Sequence, residues 1–449
     1  MLRPDSDLYF DQLDELARYL ISKSVHFCPV KYIILTILLL SAYAGLSQKL
    51  FENKVYSESV RSPQAYPESN PLGYPIIAFM SGENLEFHFD IMTDDFDTYR
   101  YGVVHCDHEW RQSDIDANEY IQGFATDQIS TIDAAFATMH NYVHYRFTYP
   151  NDMSKPVYSG NYAMVIYSGS DIMDETTWLI TYRFVIYEST VSITSRVGQS
   201  SIISERFSSQ EVDFEIGYKD FQIFDPMRDI NVTILQNFDW KRSVNRLKPI
   251  FLKPDLMTFD YSDGQNSFEA GNEWRFFEVK DTRYISSEVQ GISLEDDGYH
   301  IYLRPDIIEG KRAYSTWQDI NGNFLVKNDQ GDDAHLEADY VWVHFGIIMP
   351  EAEEAEVLLE GKFNEFGTPK AKCVYDKASQ SYQCKLLLKQ GYYNYRYMLR
   401  DKFYAKDNIR FTEGSHAATE NVYHIIAYMY DRNRGCDRII AVKADRSVN

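Results

Sequence analysis

Cations are scarce in this chain: 44 Lys and Arg stand against 67 Asp and Glu, a formal net charge of −23 over 449 residues. Such a surface repels polyphosphates and anionic lipid and offers no basic stripe, which excludes nucleic-acid binding. Long hydrophobic runs are missing too. The main one, Tyr32 to Leu40, falls well short of the ~20 helical residues that cross a bilayer, so no direct membrane insertion is expected. Cysteine is rare, with 5 in all and none in the close paired spacing of a zinc site. A Gly-x-Ser-x-Gly elbow, a phosphate-cradling glycine loop and a His-Glu-x-x-His pair are also absent, so an enzyme, a cofactor and a metal centre are not expected.

Aromatic residues are what the chain has in quantity. Its 35 Tyr and 27 Phe suit pleated, half-buried strands, where one end of the ring packs and the hydroxyl stays wet. Apolar residues alternate at Leu85, Phe87, Phe89, Ile91, at Val143, Tyr145, Phe147, Tyr149, at Tyr182, Phe184, Ile186, and at Val212, Phe214, Ile216, Tyr218. Period-two patterning marks strands with one face to a core. Turn residues such as Asp263-Gly264 and Asn321-Gly322 separate such runs. The pattern predicts an all-β protein of several immunoglobulin-like β-sandwich domains in tandem, with one short helix between Asp127 and His140. The densest aromatic segment, Leu388 to Tyr397, reads as an exposed strand for recognition, its candidate contact residues being Tyr392, Tyr393 and Tyr395 with Phe363 nearby.

Residues 1–44 read as an address label. Lys31, the apolar run and Ser41-Ala42-Tyr43-Ala44 have the form of a signal peptide with a cleavage site, and the ~30 residues before Lys31 read either as a misplaced start, with Val30 as an alternative start, or as a real N-terminal extension. Four cysteines then remain. Cys373 and Cys384 flank a polar turn, and a symmetric hairpin would set them opposite each other, either bridged or as two thiols.

Polar or proline-bearing breaks near 188–194 and 349–356 divide the rest into domains at 49–188, 189–349 and 350–449. Three clusters carry chemistry-bearing residues. His105-Cys106-Asp107-His108 would point to alternate faces of a strand, which favours a structural role. Asp319 and Asn321 begin like a calcium loop but lack its later ligands, so an Asx turn ahead of a strand at Phe324 is expected. Glu273 and Asp296-Asp297 could pair as glycosidase carboxylates, a weak signal in so acidic a chain.

Several segments taken together resemble one family. They include His105 to Trp110 with Ser113, Glu119 to Phe124, His144 to Phe147, Ser159 to Tyr162, Gly271 to Arg275, Asp319 to Gly322, Ala338 to Val341 and Leu388 to Tyr395. The chain is identified through them as similar to the plug proteins of the type IX secretion system. The resemblance implies a non-enzymatic periplasmic protein at the inner face of the outer membrane, which binds the large translocon β-barrel and blocks it when no cargo is engaged. Residues from Val357 onward also resemble early-set immunoglobulin-like modules that bind α-glucans. That similarity implies an alternative, an exported carbohydrate-binding protein using Tyr392, Tyr393, Tyr395 and Phe363 as a sugar platform.

Overall fold

The computed structural model describes residues 49–365, 372–404 and 407–447. The leader expected over residues 1–44 lies outside them. Among the described residues the α-helices are three single turns, Ala117–Tyr120, Pro226–Asp229 and Ala334–Glu337, and the rest of the regular structure is strand and 3₁₀ turn. The all-β expectation holds. The helix expected between Asp127 and His140 does not form. Thr126–Gln128 and Thr131–Ala134 are short strands instead, pairing with Arg100–Cys106 and Val143–Tyr149. Their β-branched Thr126, Thr131 and Ile132 favour that outcome.

The first module is a sandwich. One sheet runs in the order Lys54–Val55, Trp178–Tyr187, Gly160–Tyr167, Arg100–Cys106, Thr126–Gln128, and the other in the order Val60–Pro67, Leu85–Ile91, Val143–Tyr149, Thr131–Ala134. The alternating residues meet between the sheets, where Phe87 stacks on Phe147 at 5.1 Å and stands edge-on to Phe184 at 5.8 Å.

The middle module is discontinuous. Ser192–Gln199, Ser209–Gly217, Leu256–Phe259 and Phe251–Lys253 form one sheet. The other holds Val244–Leu247 and Ile230–Gln236, completed by Val422–Asp431 and Cys436–Arg446 from the end of the chain. Its core joins Val212, Phe214 and Ile234 to Tyr423, Ile425 and Ile440. The division at 349–350 is therefore corrected. The third module runs from Arg275–Val279 to the region of Glu413, and the last hairpin returns to the middle one. Proline and acidic residues near 350 mark only a turn between two strands of a single module, Tyr340–Ile348 and Ala355–Glu360.

Within the third module Lys372–Asp376 changes partners, from Ala355–Glu360 at its start to Ser381–Lys389 at its end. The modules are joined by apolar contacts as well as by chain. Val104, Cys106, Ala163 and Val185 on the outer face of the first sandwich share one buried cluster with Leu235, Ile426, Tyr428 and Ile439 of the middle module. A hydrophobic interface of this kind resists relative motion.

Candidate functional site

The aromatic strand Gly391–Asp401 lies between Arg275–Val279 and Ala355–Glu360, and the period of two divides its tyrosines. Tyr393, Tyr395 and Tyr397 point inward and are 1%, 3% and 0% exposed. Tyr393 stacks on Phe277 at 5.1 Å and donates its hydroxyl to the carbonyl of Lys389 at 2.6 Å. Tyr395 and Tyr397 both donate to Asp306 Oδ2, at 2.8 and 3.1 Å. The expectation that Tyr393 and Tyr395 present an exposed contact surface or sugar platform is thus corrected: their hydroxyls are satisfied by protein partners, and their rings are core. Tyr392, on the opposite face, is half-buried against Phe276 at 5.7 Å.

Phe363 is half-buried and stands edge-on to Tyr393 at 5.6 Å. The two meet at the edge of a groove of about 430 Å³ between the first and third modules. Trp342 and Phe324 add aromatic surface, residues 385–388 form one wall, and residues 55–63 form much of the other. The groove gathers Phe363 and Tyr393 and leaves out Tyr392 and Tyr395.

Beside this groove lies a buried polar relay that the sequence reading did not single out. Asp90 Oδ2 accepts from Lys389 Nζ at 2.6 Å and from the Tyr340 hydroxyl at 2.5 Å, and Tyr340 is also 2.8 Å from Ser62 Oγ on the groove wall. Asp90 Oδ1 lies 2.6 Å from His144 Nδ1, His144 Nε2 lies 3.2 Å from His88 Nδ1, and His88 Nε2 lies 3.2 Å from Glu86. Burial alone would raise the Asp90 carboxyl, but Lys389 and His144 outweigh it and hold the group well below the usual carboxylate range. Burial pulls the Lys389 ammonium down despite Asp90. His335 lies flat on His88, ring centres 4.4 Å apart at 8°, and burial followed by the two neighbouring imidazoles pushes it down to about 2. Three histidines this close invite a metal reading. A ring stacked face to face does not aim its lone pair at its neighbour's, however, and both nitrogens of His88 and His144 are already engaged. The cluster reads as a hydrogen-bonded joint. Its sequence signal was present in Glu86, His88 and Asp90, which alternate with the apolar residues and mark a back face that something polar must cover.

The remaining candidates separate. His105 Nδ1 meets Ser113 at 2.8 Å while Cys106 points into the intermodule cluster, and His108 Nδ1 reaches Asp437 at 2.7 Å. Asp319 makes the Asx turn, accepting from Asn321 N at 2.8 Å and from Trp274 N at 2.5 Å. Glu273 accepts from the Tyr314 hydroxyl at 2.5 Å, and Asp297 contacts His300 Nε2 at 2.7 Å. The pairing of Val374 with Gln383 continues the hairpin toward Cys373 and Cys384, whose sulfurs are not joined in a disulfide. The neighbouring Cys384 thiol, with burial second, pushes Cys373 well above the ordinary thiol range.

Two comparisons bear on identity. Residues 60–188 match the family described as type 9 secretion system plug protein 1st domain. The crystal structure of a hypothetical protein from Parabacteroides merdae superposes with a TM-score of 0.84 at 30% sequence identity, covering 89% of this chain and 100% of that one.

Proposed function

Because the chain belongs to the family of type IX secretion system plug proteins, we propose that it is a non-enzymatic periplasmic stopper that binds the large outer-membrane translocon barrel from its inner side and occludes it when no cargo is engaged. The single observation that carries this reading beyond the family is the way the modules lock. The middle sandwich takes its last two strands from the far end of the chain, and the first and third modules meet through the buried pair of Asp90 and Lys389. A stopper must keep its shape against a wide opening, and close-packed, interleaved sandwiches deform little. The acidic surface keeps such a body away from anionic lipid while it docks on protein.

The test is a clean deletion in the native host, with the tagged protein used in parallel to recover partners from gently solubilised envelopes. Increased entry of a large, normally excluded antibiotic, together with recovery of one very large outer-membrane barrel, is expected. Unchanged permeability and no barrel recovered would overturn the proposal. The carbohydrate alternative loses support from the burial of Tyr393 and Tyr395, and unchanged migration in polysaccharide gels is the expected result.

A further inference from the structure

The groove between the first and third modules has one wall that is an unfinished sheet. Four consecutive residues, Lys385 to Leu388, line it. A strand facing the groove with its side would contribute only alternate residues, so the groove sees this strand edge-on. The strand Ser381–Lys389 pairs with Tyr340–Ile348 along its other side, and Gln390 N donates to Asp339 O at 2.9 Å to set the phase of that ladder. Counting back in twos, Leu388 and Leu386 turn their backbone groups to the ladder. Lys385 and Leu387 turn theirs away from it, toward the groove. Lys372–Asp376 covers that side only as far as Gln383 before crossing to Ala355–Glu360, and among the described residues no strand follows it along 385–387.

The rest of the groove suits a peptide better than an acyl chain. Its aromatic lining takes apolar side chains, but Trp342 also brings a buried Nε1–H that has no acceptor, and the open edge brings N–H and C=O groups spaced to pair with an added strand. Two cations, Lys385 and Arg61, and one carboxylate, Glu58, line it, so the groove carries a net positive charge in a protein that is otherwise strongly acidic, with Lys385 Nζ also 3.9 Å from Asp297 Oδ2. Lys385 lies over the Trp342 ring at 4.1 Å, and the Arg61 guanidinium contacts backbone carbonyls of Glu58 and Val60 at 2.6 and 2.8 Å. The opposite wall has closed its own edge at Val60, whose N–H donates to Ser57 O at 3.3 Å.

We propose that this groove receives an extended segment of the translocon barrel as an added strand against Lys385–Leu387, with apolar side chains toward Phe363 and Trp342 and a carboxylate near Arg61 and Lys385. The inference rests on the plug reading and names where the partner is held. It also explains the position of the buried relay, since Ser62 of the groove wall reaches Asp90 through Tyr340.

The experiment places the photo-crosslinking residue p-benzoylphenylalanine at position 363 or 387 of the full chain in the native host, with position 224 in the middle module as comparison, and maps the cross-linked peptides. In parallel, affinity for the purified barrel is measured for the wild type, Lys385→Glu and Phe363→Ala, each checked for unchanged melting. The expected result is cross-linking from 363 and 387 to one barrel segment and affinity weakened about tenfold or more in each variant. Barrel binding by the wild type, with unaltered affinity in both variants and no cross-links from the groove, would overturn the groove while leaving the plug reading intact. Failure of the wild type to bind the barrel would overturn both. Cross-links to lipid, or to a second copy of this chain, would replace the proposed occupant.

Discussion

Lys389 and Asp90, 299 residues apart in the chain, form an ion pair with 2.6 Å between Nζ and Oδ2 and 1% of either side chain exposed. It joins the end of a strand in the third module to the back of a strand in the first. Lys389 Nζ also donates to His335 O at 2.7 Å and sits 4.1 Å above the Tyr142 ring, so the ammonium is solvated by protein rather than water.

Removing one partner strands the other charge in the interior. Lys389→Met is expected to destabilise the fold by about 3–5 kcal/mol, and Asp90→Asn with Lys389→Met together by clearly less, because the double change leaves no unpaired charge. Urea denaturation of the wild type and both variants checks this. A double variant as unstable as the single would show that the pair's worth lies in its other hydrogen bonds.

The buried histidines make stability fall in acid. His424 is 5% exposed, stands edge-on to Tyr74 at 5.0 Å and to Phe238 at 5.3 Å, and has Nδ1 without a hydrogen-bond partner. Burial, with Lys362 adding to it, holds the ring down to about 4. An unfolded histidine titrates at about 6.5, so between these values the unfolded chain takes up a proton that the folded chain refuses. This contribution is complete above the unfolded value and is lost as pH falls toward the folded one. His105 and His344, also held down to about 4 chiefly by burial, act in the same sense. Denaturation midpoints at about pH 7 and about pH 4.5 are expected to converge in His424→Phe relative to the wild type, with part of the slope kept by the other histidines that burial holds down, His335 included.

The aromatic strand shows how far the sequence could be read. Alternation identified a strand and implied that its tyrosines split between two faces, but it could not say which face a further layer covers. That depends on Phe277, Phe324 and Asp306, which arrive from distant parts of the chain. Tyr393→Ala is accordingly expected to cost about 3–5 kcal/mol, as large aromatic truncations in a core do, whereas Tyr392→Ala on the half-buried face costs much less. Thermal melting of both variants decides it, and equal losses would mean that both faces are core.

Cys373 and Cys384 were legible as a facing pair because a hairpin needs only local sequence. We expect mild oxidation to join them, with free thiols falling by two and no dimer formed, and with stability rising by at most about 3 kcal/mol for so short a loop. Thiol titration and intact mass before and after oxidation provide the check. Retention of all thiols under conditions that oxidise an exposed control would show that their Cβ geometry forbids the bond.

Module boundaries were the least legible feature, since composition breaks near 350 record a turn and carry no information about where the final strands return. Ile230–Gln236 pairs with Val422–Asp431 along seven residues, from Ile230 opposite Met429 to Gln236 opposite Tyr423. Without that partner its inner edge and the apolar residues Val232 and Ile234 face water. A fragment of residues 189–349 is therefore expected to be unfolded, because it also lacks the Gly391–Asp401 strand that holds Arg275–Val279. A fragment of residues 189–273 joined by a short linker to residues 419–447 keeps both sheets of the middle sandwich and is expected to fold alone, though its face toward Val104 and Val185 would be exposed and sticky. Circular dichroism and amide exchange on the two fragments distinguish the outcomes. Cooperative folding of 189–349 would mean that the returning hairpin is an ornament on a complete module and that the lock between modules contributes little to the rigidity on which the stopper reading depends.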